Sequence, residues 1–334
     1  MKRITTLLMF LLLMVTYSPA QEKQEKNFFE NGKPILKVFA NYHTSVGEGE
    51  NRSEFTIRRV YLGYQADLGD GFSTVVKLDI GSPDDVSEFT LKRRFAFFKN
   101  AYLQYKKDKF TVQFGVIPTR HFKVQEKIWA HRYIRKSVAD MNRMGSSADL
   151  GAYVIYDANK YLSFDAGVLN GEGYGKIQND NALKAALGTT IKPIKGLQLR
   201  FYADVVEKGE LQINWVNFIS YSWNKKITAG LEYDVQYNVK NVKDEDLAAI
   251  SVFANYHFLK KWQIFARYDL VESSVLENED EPWRYDKDGS LIIGGVQYQL
   301  HKKVKIAVDY QGFIFRDAEL GTGNLLYMNL EFKI

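Results

Sequence analysis

Long stretches of this chain alternate strictly between apolar and polar residues. Leu197, Leu199, Phe201, Ala203 and Val205 are interleaved with Gln198, Arg200, Tyr202 and Asp204. Ile227, Ala229, Leu231, Tyr233, Val235 and Tyr237 are interleaved with Thr228, Gly230, Glu232, Asp234, Gln236 and Asn238. Val304, Ile306, Val308 and Tyr310 alternate with Lys305, Ala307, Asp309 and Gln311. Successive side chains of a strand point to opposite faces, so this period gives strands with one apolar and one polar face. Segments of this kind are expected near 35–44, 55–68, 72–80, 99–105, 110–116, 148–156, 162–169, 181–192, 197–206, 210–221, 227–239, 246–258, 262–270, 289–299, 304–315 and 325–333.

A soluble sandwich would alternate too, but its strands usually run about five or six residues. Those expected here are often near ten, the length of a tilted membrane strand. The connections also alternate in length. Gly69-Asp70-Gly71, Asn224 to Lys226, Leu259 to Lys261 and His301 to Lys303 are short, whereas Gly81 to Lys99, Ile117 to Ser147 and Val271 to Asp288 are long. Short periplasmic turns opposite longer external loops mark outer-membrane barrels. The expected fold is therefore all-β: a transmembrane antiparallel β-barrel of about 16 strands. Its sheet must close, because no backbone polar group can be left unpaired in a bilayer. Aromatic residues make up 14% of the chain, with 21 Tyr and 22 Phe. Tyr42, Tyr64, Tyr105, Tyr156, Tyr221, Tyr233, Tyr237 and Tyr298 fall near strand ends on the apolar parity, where girdles form at the membrane interfaces.

The N-terminus opens Met1-Lys2-Arg3, then runs apolar from Ile4 to Val15, and reaches Ser18-Pro19-Ala20 before Gln21. That is the pattern of a secretory signal peptide over 1–20. Residues 21–34 are expected to be a lead and 35–334 the barrel. The absence of cysteine excludes disulfides, thiolate metal sites and a Cys nucleophile. Net charge is +5, two of it from Lys2 and Arg3, too weak a bias to identify a partner. Nothing suggests nucleic acid.

A pore works with what lines it. On the polar parity Lys37, Arg59, Lys77, Lys184, Arg200, Arg267 and Lys305 nearly balance Asp67, Asp79, Asp165, Asp204, Glu232, Asp234, Asp269 and Asp309. Lys77, Arg200, Arg267 and Lys305 are the candidate pore-wall cations, in a wall with no strong selectivity of its own. The exception is the longest loop, 117–147. It holds Arg120, Lys123, Lys127, Arg132, Arg135, Lys136 and Arg143 against Glu126 and Asp140, together with His121 and His131. Loops this long are usually functional or disordered. Residues 124–142 contain few helix breakers, so a helical turn or two is expected there. Folded inward, the loop constricts the pore and presents cations to passing solutes, the device by which pores favour anions. Left outside, it meets lipopolysaccharide phosphates. Catalytic and cofactor motifs are absent, and the five histidines lack metal-ligand spacing. The glycines of Gly171-Glu172-Gly173-Tyr174-Gly175 fit a flexible loop.

Arg58-Arg59-Val60-Tyr61-Leu62-Gly63, followed by Gly71-Phe72 and Lys77-Leu78-Asp79, resembles the second and third strands of the phosphate-selective porin O/P family. Asn100-Ala101-Tyr102-Leu103-Gln104-Tyr105 with Phe114-Gly115-Val116-Ile117-Pro118 resembles its next hairpin and the start of its constriction loop. Ser146-Ser147-Ala148-Asp149-Leu150-Gly151 is similar to the strand that follows, and Tyr133-Ile134-Arg135-Lys136-Ser137 is similar to porins of Bacteroidetes-type bacteria. The likeness is clear over 55–156. It implies a sixteen-stranded barrel in the bacterial outer membrane, often a homotrimer, in which Arg59 and the basic loop residues select anions. The expectation is passive diffusion of small polar solutes, with a preference for anions such as phosphate, among outer-membrane lipid and lipopolysaccharide. Two other readings stay open. One is a barrel that anchors or docks a larger envelope complex. The other is an outer-membrane hydrolase, for which His43 near Ser45 is the faint candidate.

Overall fold

The computed structural model describes residues 31–47, 53–81 and 96–334. The signal-peptide segment and residues 21–30 of the expected lead lie outside them. The first strand opens at Gly32.

Sixteen antiparallel strands close into one barrel. They are β1 Gly32–Ser45, β2 Ser53–Gly69, β3 Phe72–Ile80, β4 Ala96–Lys107, β5 Phe110–Ile117, β6 Asp149–Asp157, β7 Leu162–Leu169 and β8 Lys184–Ile191. The second half comprises β9 Leu197–Lys208, β10 Glu210–Trp223, β11 Ile227–Tyr237, β12 Leu247–Leu259, β13 Trp262–Ser273, β14 Gly289–His301, β15 Val304–Phe315 and β16 Thr322–Lys333. Every strand pairs with its sequence neighbours, and β16 closes on β1 with Lys37 opposite Lys333 and Asn41 opposite Asn329. Between β5 and β6 lie two short helices, α1 Lys123–Trp129 and α2 Val138–Met141. Among the described residues no helix is long and apolar enough to cross a membrane. The strands do the crossing.

The alternation expected from the sequence sets the two faces. On β11, Ile227, Ala229, Leu231 and Tyr233 are exposed on the outside, while Gly230, Glu232, Asp234 and Gln236 are buried on the inside. Phe114, Leu187 and Val308 belong to the outer apolar band. Cross-strand ring pairs mark its edges. Phe72–Tyr105, Phe110–Tyr156 and Trp262–Tyr298 lie 4.6, 4.7 and 4.6 Å apart near the short turns, and Tyr42–Phe55 lie 4.8 Å apart near the long loops. The tight turns use the left-handed residues that right-twisting hairpins require. Asp70 and Gly71 (φ 50° and 86°) join β2 to β3, and Asn224 and Lys225 (φ 49° and 57°) join β10 to β11.

Two features depart from strict alternation. The register slips between Phe39 and Ala40 of β1, so that Arg59 and Ile57 of β2 are paired and Arg58 is the extra residue of a bulge. It slips again between Lys77 and Leu78 of β3, where Lys99 of β4 is the extra residue. A bulge lets two consecutive side chains share one face. The lumen is also not polar throughout. Phe39, Phe218, Phe253, Phe265, Leu291 and Ile293 are buried on its inner wall.

Candidate functional site: a constriction seated in the lumen

The chain leaves the wall at Ile117 and returns at Asp149. The loop between is amphipathic, and its apolar side lies against the apolar arc of the wall. Trp129, Tyr133 and Ile134 join the Phe39, Phe253 and Phe265 cluster. Phe122, Val138, Ala139 and Met144 pack against Val239, Leu247, Ala249 and Val271. Ala130, left-handed at φ 62°, ends α1 and turns the chain. Ser137 caps α2 by accepting the Asp140 N–H at 3.3 Å. The helical turns expected over 124–142 are thus present as two pieces.

Backbone carbonyls that the loop would otherwise bury unpaired are taken up by donors from around the barrel. Arg58 Nη1 donates to Ile134 O at 2.8 Å, Arg200 Nη2 to Arg120 O at 3.1 Å, and Arg267 Nη1 to Lys136 O at 2.6 Å. Asn255 Nδ2 donates to Trp129 O at 3.2 Å, and the Tyr133 hydroxyl to Gln297 Oε1 at 2.9 Å. Hydrogen bonds from charged donors contribute about 1.5–3 kcal/mol each, so three such arginine bonds hold the loop firmly inside.

This seating separates the expected cations into two groups. Three wall arginines are neutralised. Arg59 donates to Asp79 at 2.8 Å, Arg200 grips Asp165 at 2.5 and 3.0 Å, and Arg267 grips Asp269 at 2.7 and 2.6 Å. All three are buried, and Arg200 and Arg267 also tie the wall to the loop. Arg132 and Lys136 on the loop meet Glu126 and Asp140 at 3.0–3.4 Å. Arg135 lies over the Phe313 ring at 5.0 Å. Lys37 and Lys305 share Glu331 at 3.9 and 3.7 Å.

A second set of cations stands away from carboxylates. Lys77 stands 5.2 Å over the Tyr61 ring, and Lys99 stands 3.9 Å over Tyr174 while donating to Ser147 Oγ. Among the described residues no carboxylate lies within ion-pair distance of Arg58, Lys77, Lys99, Arg120 or Lys123. Burial and the cations Arg120, Lys77 and Lys127 push the Lys123 ammonium down to about 8. Lys127 and Arg143 are exposed on the loop. His131 carries no charge. Burial pushes its imidazole down to about 3, and its Nδ1–H donates to Trp129 O at 2.7 Å. His121 sits 3.4 Å from Asp204.

Parity placed Arg59, Lys77, Arg200, Arg267 and Lys305 on the inner face, where they are. It missed Arg58 and Lys99, which face inward only because of the bulges. The glycine-rich stretch 171–175 needs correction. Tyr174 reaches into the barrel, its hydroxyl donating to Asp79 Oδ2 at 3.0 Å, and the Gly171 N–H donates to Asp149 Oδ2 at 2.9 Å. Gly173 (φ 83°) leaves no room for a side chain, since a Cβ there would lie 2.7 Å from Ser146 Oγ. Close approach and a left-handed backbone, rather than flexibility, explain that glycine. At the same end of the barrel, beside the β1–β2 connection, His43 pairs with Glu54 at 3.3 Å and stacks on Tyr327.

The model of the family described as phosphate-selective porin O and P matches residues 36–184. No curated protein matches the sequence. Among solved structures the chain is similar to Salmonella typhi OmpF in complex with daunomycin, at 12% identity, 91% of this chain and 97% of that chain covered, and a TM-score of 0.65. It is similar to outer-membrane expressed OmpT of Vibrio cholerae, at 13% identity, 91% and 97% coverage, and a TM-score of 0.62. A mutant of Rh. blastica porin matches at 12% identity, 91% and 100% coverage, and a TM-score of 0.57. At such identities these likenesses establish the fold. Residues 36–184 thus match the phosphate-selective porin O and P family, and the barrel is an outer-membrane channel for solute diffusion.

Proposed function

We propose that the channel favours small anions, and that selection takes place where the loop 118–148 narrows the lumen. The observation that carries this is the set of cations without carboxylate partners among the described residues, Arg58, Lys77, Lys99, Arg120 and Lys123, gathered around a loop that is itself net basic. Cations lining a narrow passage lower the energy of an anion and raise that of a cation there. Passage is passive and driven by the solute gradient. Phosphate fits this reading as one such anion, supported by the name of the matched family. A homotrimer is the proposed assembly, supported by a trimer form of Vibrio cholerae OmpT among the similar structures.

The test is a planar bilayer with a tenfold salt gradient. A tenfold ratio of a single charge corresponds to about 59 mV, and the wild type should reverse with the sign of an anion-preferring pore at a fraction of that limit. Neutralising Lys77, Lys99 and Lys123 together (K77Q, K99Q, K123Q) should move the reversal potential toward zero without closing the channel. A cation-directed potential in the wild type refutes the anion preference. An unmoved potential in the triple variant removes these lysines from the selecting region.

A further inference from the structure

We infer that the turn end of the barrel carries a site for an anionic phospholipid of the periplasmic leaflet, centred on Lys225, Lys226 and Lys260. This goes beyond conduction and does not depend on it.

Three of the short turns repeat one pattern, a lysine pair between large apolar residues: Trp223-Asn224-Lys225-Lys226-Ile227, Phe258-Leu259-Lys260-Lys261-Trp262 and Leu300-His301-Lys302-Lys303-Val304. The turns at 106–109, 158–161 and 192–196 bring further lysines to the same end. All these lysines are exposed. They stand just beyond the Phe72, Phe110 and Trp262 ring pairs that mark the edge of the apolar band. That is the level of lipid phosphates, and a long lysine stem can run along apolar surface while its ammonium reaches them.

At one place the ring becomes a cavity. The turn 224–226 lies beside 257–260, joined by the His257 N–H donating to Lys226 O at 2.8 Å. The register slips between His257 and Leu259, so Phe258 is the extra residue of a bulge there. The resulting cavity of about 360 Å³ is lined by Lys225, Lys226, His257, Phe258, Leu259 and Lys260. It combines three ammonium groups with exposed apolar surface, Phe258 at 41% and Leu259 at 59%. A soluble anion would use the charges and leave the apolar surface wet. An anionic phospholipid uses both, its phosphate on the lysines and its acyl chains along Ile227 and Tyr256 on the outer wall, which are also exposed.

Trp223 and Trp262, 54% and 41% exposed, flank the cavity and report on it. The full-length channel is reconstituted in phosphatidylcholine bilayers containing a small fraction of brominated phosphatidylglycerol or, separately, brominated phosphatidylcholine. Tryptophan quenching by the anionic lipid should exceed that by the zwitterionic lipid with an apparent preference of about tenfold, given the attraction of each juxtamembrane lysine to an anionic surface. The variant K225Q/K226Q/K260Q should lose that preference while retaining wild-type conductance, which reports an intact barrel. The variant K302Q/K303Q, altered at another turn, should keep it. Equal quenching by the two lipids in the wild type overturns the site, as expected if the ring instead docks an acidic periplasmic protein. Equal losses in the two variants overturn it in favour of a diffuse field. Erasure of the preference by millimolar inorganic phosphate overturns it in favour of a solute site.

Discussion

Trp129 is the side chain whose loss should free the constriction. It is 1% exposed and touches the wall through Phe253 and Phe265, with ring centroids 5.2 and 6.0 Å away. Its indole Nε1–H donates to Arg135 O at 3.0 Å, and the Arg267 guanidinium lies 5.3 Å over its ring. Truncating a buried tryptophan to alanine costs about 3–5 kcal/mol. The strands pair without Trp129, so the cost falls on the docking of the loop and lowers the docking constant by roughly two to nearly four powers of ten. The arginine bonds to Ile134, Arg120 and Lys136 carbonyls remain, so the loop should partition between seated and released states. Single-channel recordings of Trp129→Ala should show excursions to a higher conductance. Trypsin should cut at Arg132, Arg135 or Lys136, which are half-buried in the seated loop. Trp129→Phe keeps most of the packing and should behave nearly as wild type. Conductance noise and protease resistance unchanged in Trp129→Ala would refute the account, because the loop would then be held by its polar bonds alone.

Two further predictions concern charge. Arg267→Met leaves Asp269 buried without its partner, and breaking such a pair costs about 3–5 kcal/mol. The urea midpoint of the barrel should fall, and Arg267→Lys should recover only part of it, because an ammonium cannot reproduce the two-pronged grip on Asp269 at 2.7 and 2.6 Å. The second is pH dependence. Lys123, pushed down to about 8, holds its proton below that pH and loses it above. Anion preference should therefore decline between about pH 7 and 9, and Lys123→Gln should flatten that part of the profile of reversal potential against pH.

The period of two in the sequence was enough for the strand number, the closure and the outer face, because lipid tolerates little deviation from it. It also put the candidate wall cations on the correct side. It could not anticipate Arg58 and Lys99, since a bulge of one residue reverses the facing rule locally and leaves no mark in composition. The apolar seat was within reach. Phe253 follows Val252, and Ile293 follows Ile292, so β12 and β14 are apolar on both parities at those points. A strand of an aqueous channel that is apolar on both faces has something other than water against its inner side. The pairing of Arg132 and Lys136 with Glu126 and Asp140 is local to the loop, but the seating of the loop depends on contacts far apart in sequence, as between Arg267 and the Lys136 carbonyl, and no local pattern encodes these.

The pairing of β16 with β1 is unlike every other pairing in the wall. Fifteen joins connect neighbours along the chain, whereas this one brings Lys37 to Lys333. Closing so long a loop costs about 3 kcal/mol more chain entropy than closing a hairpin, and nothing nearby in sequence nucleates it. Until that seam forms, two strand edges face hydrocarbon with their amides unmet. Assembly is therefore a long series of local steps ended by a single distant one. Substitutions at the seam, such as proline at Asn41 or Asn329, should stall the nearly finished sheet as an open, insertion-incompetent ribbon, whereas the same lesion in a surface loop should go unnoticed.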